Sequence, residues 1–117
     1  WGGNLTDMVR AQRYLEIMEE EKLIENAAKM GKRLLDGLQT IATSTDVISN
    51  ARGRGLMCAF DAPDGNTRTA LHSALKENGL FTLTCGGKSI RFRPFLDIKA
   101  ERIDEALNIL EDTAAAM

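Results

Sequence analysis

Histidine is all but missing from this chain of 117 residues: His72 is the only one. It follows Leu71 on a short helical stretch, and no neighbouring cysteine or carboxylate completes a ligand or catalytic cluster. It reads as a surface histidine, and no metal centre is expected. Cysteine occurs twice. Cys58 and Cys85 lie far apart, lack metal-ligand spacing and read as reduced thiols of a cytoplasmic protein. Cys58 shares strand parity with Leu56 and Phe60 and belongs to the core, and nothing near Cys85 activates its sulfur. Proline also occurs twice, each time as a stop: Pro63 in the turn Ala62-Pro63-Asp64-Gly65, and Pro94 at the end of a strand. No apolar run approaches a membrane span, and no signal-peptide pattern opens the chain. A strong excess of one charge is lacking too. A net charge of −2 gives no electrostatic reason to expect nucleic acid or an anionic membrane as partner. The six lysines, Lys22, Lys29, Lys32, Lys76, Lys88 and Lys99, lie on polar helix faces or in loops, away from the apolar setting that depresses a lysine pKa for imine chemistry. The chain alone therefore offers no nucleophile and no acid–base pair. It also has no initiator methionine: it opens on Trp1-Gly2-Gly3-Asn4, which reads as a chain cut out of something longer.

What is present centres on Cys85–Leu96. A glycine turn, Cys85-Gly86-Gly87-Lys88, feeds a short strand that Pro94 ends. Successive strand side chains alternate, so Ile90 and Phe92 point to one face and Ser89, Arg91 and Arg93 to the other. Two guanidinium groups then stand on a strand anchored by apolar side chains. Such a group presents a planar fork matched to a carboxylate or phosphate. Gly87-Lys88-Ser89 is not a phosphate loop, because Thr82 stands where the first glycine is needed and a strand follows instead of a helix.

Around this strand the hydrophobic pattern predicts helices over Leu5–Glu20, from Leu23 to Ala42, over Thr67–Asn78 and over Ala100–Ala115. Met8, Ala11, Leu15 and Met18 form the inward stripe of the first. Ile24, Ala27, Ala28, Gly31, Leu34, Leu35, Leu38 and Ile41 form that of the second, with Gly31 allowing close packing. A break falls at Glu19–Lys22. Asn66 or Asp64 caps the third helix and Gly79 stops it, whereas Lys99 is a poor cap for the last. Strands are predicted from Val47 to Ala51, over Leu56–Asp61, over Leu80–Thr84 and over Ser89–Arg93. Arg52-Gly53-Arg54-Gly55 is read as a turn or bulge between the first two. The order ααββαββα, without regular βα alternation, argues for an α+β layer of helices on a small, largely antiparallel sheet.

Three stretches carry a resemblance. Trp1-Gly2-Gly3-Asn4 before a long helix, Arg52-Gly53-Arg54-Gly55-Leu56-Met57, and Ile90-Arg91-Phe92-Arg93-Pro94 before a final helix resemble the C-terminal end of class III aminotransferases. These are pyridoxal-phosphate enzymes of the aspartate-aminotransferase fold. Within that class, Trp1, Met57-Cys58-Ala59-Phe60 and the Arg-Phe-Arg-Pro run are most similar to the lysine 6-aminotransferases. The resemblance implies that residues 1–42 are the end of a large domain with linking helices, and that residues 43–117 are the C-terminal small α+β domain. It implies that Arg91 binds the α-carboxylate of the substrate, that Arg93 has no carried-over role, and that Trp1, Gly2 and Gly3 are at most a loop near the site. Phe95 departs from the family, which usually has a second proline there.

The lysine, aspartate and phosphate loop that hold pyridoxal 5'-phosphate in such enzymes lie upstream, so no cofactor contact is expected from these residues. The implied parent is a cytoplasmic homodimer that passes the ε-amino group of L-lysine to 2-oxoglutarate, and this chain alone is expected to be inactive. Stripped of its large-domain cover, it is expected to expose apolar surface and self-associate. Ornithine, acetylornithine and 4-aminobutyrate aminotransferases are alternatives within the class. A free-standing, non-catalytic α+β module binding an anionic ligand or a partner is the alternative outside it.

Overall fold

The structure, a computed structural model, describes residues 3–117. Helix α1 (Leu5–Glu20) starts at Asn4, whose Oδ1 accepts from the amides of Thr6 at 2.9 Å and Asp7 at 3.3 Å. It ends where Lys22 turns left-handed, with φ 53°. That is the break expected at Glu19–Lys22. Helix α2 (Leu23–Ser44) follows and buries Gly31, Leu34, Leu38 and Ile41. Strands β1 (Ser49–Arg54) and β2 (Met57–Asp61), helix α3 (Gly65–Glu77), strands β3 (Leu83–Cys85) and β4 (Ser89–Arg91) and helix α4 (Ala100–Ala115) complete the chain. The strands form one sheet in the order β1-β2-β4-β3, with every neighbouring pair antiparallel. The α+β architecture expected from the sequence is the one observed.

One sheet face is covered. Cys58, Phe60, Ile90 and Phe92 point into a core shared with Leu34, Leu38 and Ile41 of α2, Leu71 and Leu75 of α3, and Ile103 and Leu110 of α4. Phe60 and Phe92 lie with ring centroids 6.0 Å apart. Each large side chain removed from water here stabilises the fold by roughly 1.5–3 kcal/mol. The opposite face of the sheet is open: Met57 is 73% exposed and Arg91 is exposed.

Several expectations change. The Arg52–Gly55 segment does not interrupt a strand; β1 runs through Arg52, Gly53 and Arg54, and Val47 and Ile48 precede it. Gly53 is there to let two strands approach, since a Cβ on it would stand 2.6 Å from Cys58 Sγ. The irregularity in pairing lies between Ser49 and Arg52, where Asn50 takes the left-handed conformation at φ 51°. Asparagine tolerates that conformation better than most residues. Strand β3 is shorter than predicted, because the Leu80 amide bonds back to Leu75 O at 2.8 Å and so belongs to the end of α3. Phe81, predicted to lie in that strand, is 76% exposed. Asp64, one of the two predicted caps, accepts from the Thr67 amide at 2.7 Å, and Gly79 supplies the stop at φ 92°. Lys99 makes no side-chain cap, as expected.

The inward stripe of α1 is not buried within this chain: Met8 is 55% and Leu15 66% exposed. Ile24, on the first turn of α2, is likewise 70% exposed. His72 is half-buried, with Nδ1 3.0 Å from Thr82 Oγ1, so it ties α3 to the segment before β3 instead of standing in water.

Candidate functional site

The open sheet face is assembled in cross-strand rows. Arg52 of β1 stands opposite Ala59 of β2, which stands opposite Arg91 of β4, which stands opposite Leu83 of β3. In the adjacent row Asp61, Ser89 and Cys85 lie side by side. Ala59 is small, so nothing bulky separates the two arginines of the first row.

Arg91 is fixed by what surrounds it in sequence. Ile90 is 0% and Phe92 8% exposed, and the Phe92 amide donates to Cys58 O at 2.8 Å, so the strand is pinned on both sides of the arginine. None of the ion pairs among the described residues involves Arg91. Its fork is thus presented from a rigid support toward the open face. Arg93 shares its parity but lies beyond the end of β4. It lines a cleft of about 240 Å³ with Phe81, Phe92, Phe95 and Arg102 at the junction with α4. The structure therefore places the two arginines in different surroundings.

Beside Arg91 lies a polar network that alternation alone did not reveal. Asp61 Oδ2 accepts from Asn50 Nδ2 at 3.0 Å, and Oδ1 accepts from Arg52 Nη1 at 3.1 Å and from the Ser89 hydroxyl. Arg52 Nη2 also reaches Ser89 Oγ at 3.3 Å. The hydrogen bonds from Asn50 and Ser89, with a smaller contribution from Arg52, lower the Asp61 pKa to about 2, against the opposing effect of burial. Strand alternation sets Asp61 on the face opposite Cys58 and Phe60 but gives it no partner. The available signal was a carboxylate at the end of a strand in a chain where an arginine stands on the preceding strand. From the other side, Arg68 of α3 donates through Nη1 to the carbonyls of Cys85, Gly86 and Ser89 at 3.3–3.4 Å.

The side chains among the described residues do not fit pyridoxal phosphate as an anchor. All six lysines are exposed, Asp61 is saturated, and no group of metal-binding side chains occurs among the described residues. Cys58 is buried, which raises its thiol pKa and leaves it inert. Trp1 and Gly2, named as near-site residues, lie outside the described residues. Gly3 sits in a groove with Asn4, Asp7 and Met8 at the start of α1, away from the sheet residues that frame Arg91.

The chain is similar to known proteins over essentially its whole length. The chain is 46% identical to the L-lysine-epsilon aminotransferase of Streptomyces clavuligerus over 119 residues, covering 100% of the chain and 26% of that protein. The corresponding enzyme of Amycolatopsis lactamdurans is 43% identical, over 99% of the chain and 26% of its own length. The solved structure of lysine aminotransferase from M. tuberculosis superposes with a TM-score of 0.91 at 41% identity, over 99% of this chain and 27% of that one. The chain thus spans about a quarter of the length of the curated relatives it matches. Residues 1–114 match the family described as aminotransferase class-III, and the chain belongs to that family.

Proposed function

We propose that this chain is the C-terminal part of a pyridoxal-phosphate-dependent lysine 6-aminotransferase, and that Arg91 is its clamp for the α-carboxylate of the substrate. Residues 1–42 then close the large domain and link it to the small domain formed by residues 43–117. The working enzyme is a homodimer whose cofactor is held by residues outside this chain, in keeping with the exposed lysines here. When bound, the cofactor supplies the electron sink. What this chain supplies is orientation.

The observation that carries the reading is the Arg91 guanidinium, unpaired among the described residues, on a strand whose flanking side chains are buried. A transaminase must hold 2-oxoglutarate by the carboxylate next to the carbonyl that receives the amino group. A planar fork on a rigid strand does this with little ordering cost, and positions the reacting carbon of that substrate. The identities of 43–46% to lysine aminotransferases favour lysine as the amine.

In the complete enzyme, Arg91→Ala should weaken the carboxylate clamp by about 2–5 kcal/mol, raising KM for 2-oxoglutarate. An unchanged KM for 2-oxoglutarate would refute the role. Assay of the complete enzyme with lysine, ornithine and 4-aminobutyrate settles the amine.

A further inference from the structure

Strand β4 has only three residues, so its backbone bonds alone define its register weakly. A slip by one residue would turn Arg91 into the core and Ile90 out. Side-chain bonds do discriminate registers, and they converge on Ser89, two residues before Arg91 on the same face. The Ser89 hydroxyl donates to Asp61, the residue directly opposite it, and accepts from Arg52 Nη2 at 3.3 Å. Asp61 is in turn held by Asn50 at 3.0 Å. From the covered side, Arg68 Nη1 donates to the Ser89 carbonyl at 3.3 Å while also gripping the turn at Cys85 and Gly86. Arg68 Nε is buried without a partner among the described residues, a cost accepted for that grip on the hairpin.

We propose that Asp61, Ser89 and Arg68 are positioning residues for Arg91, fixing the register and tilt of β4 so that the guanidinium meets the substrate carboxylate in one geometry. This rests on reading Arg91 as the carboxylate clamp. The three residues touch neither substrate nor cofactor and act through the strand.

The test uses the complete enzyme and glutarate, an unreactive dicarboxylate, with binding measured by calorimetry and by competitive inhibition. Cofactor absorbance reports whether each variant is folded and loaded. Ser89→Ala and Asp61→Asn should each weaken glutarate binding by roughly ten- to a hundredfold while absorbance is retained, the scale of loss that a small misplacement causes. Ser89→Thr, which keeps the hydroxyl, should restore affinity to near that of the unaltered enzyme. Loaded Ser89→Ala and Asp61→Asn enzymes with unaltered glutarate affinity would overturn the inference. So would a Ser89→Thr enzyme as weak as Ser89→Ala, or cofactor loss in proportion to affinity across all three variants, which would mark a purely structural role. Arg91→Ala separates the two levels. If it leaves glutarate binding intact, the clamp reading itself fails; if it abolishes binding while the other variants do not, only the positioning role fails.

Discussion

Asp61 shows how much one saturated carboxylate contributes. Its pKa falls from 3.8 to about 2 because Asn50, Ser89 and Arg52 all donate to the charged form. A lowered folded-state pKa means that the charged form is bound more tightly by the fold than by the unfolded chain. The resulting stability is fully present above the unfolded value near pH 4 and is lost as pH falls through about 2. Asp61→Asn should therefore cost about 2 kcal/mol at neutral pH, and the gap between the variant and the unaltered protein should close between pH 4 and pH 2. Urea unfolding across that range measures it; a gap independent of pH would show that the carboxylate charge is not the stabilising feature. The Arg33–Asp104 pair offers the contrast. Its two bonds, of 2.8 and 2.7 Å, join α2 to α4, but both side chains are about half exposed, so salt should screen it.

Among the elements, α2 is held to the sheet by a glycine contact. A Cβ on Gly31 would lie 2.0 Å from Gly55 O in the β1–β2 turn, and backbone on both sides cannot move aside locally. Gly31→Ala should therefore destabilise by about 1–3 kcal/mol through overpacking, despite alanine's better helix propensity of about 1 kcal/mol. For a Cβ on Gly37, six residues further along the same helix, the nearest atoms all belong to the Leu107 side chain. Gly37→Ala should be close to neutral, and thermal melts of the two variants side by side test the difference. The close packing at Gly31 was legible in the sequence, as it falls on the apolar stripe of its helix. The bounds of α1 and α4 were also legible, since helical periodicity is local. Strand ends were not: β1 and β3 begin and end where partners and a helix cap dictate, and neither is written in the strand itself. Alternation alone set Arg91 outward between Ile90 and Phe92. Asp61, Asn50 and Arg68 could not be read as its neighbours, because their contacts bridge 11 to 28 positions of chain.

The whole molecule extends over 50 × 31 × 24 Å because α1 adds length without adding core. Its charged side is internally satisfied, with Arg13 3.2 Å from Glu16 and 3.6 Å from Glu20. Its apolar side is not: Leu5 is 78%, Val9 61% and Leu15 66% exposed, and Ile24 continues the exposed stripe onto α2. Apolar surface of this extent on one helix favours association. The chain in isolation should show a mass that rises with concentration in light scattering, and a clean monomer across the range would contradict this. Met8→Glu with Leu15→Glu should lower that association while leaving the thermal midpoint of the isolated chain nearly unchanged, because neither side chain is buried in it. In the complete enzyme the same pair should lower the midpoint, since the proposed large domain covers this stripe and would then bury two carboxylates without partners. Equal midpoints in both settings would mean that α1 stays in water in the complete enzyme too, and that residues 1–42 do not join two domains.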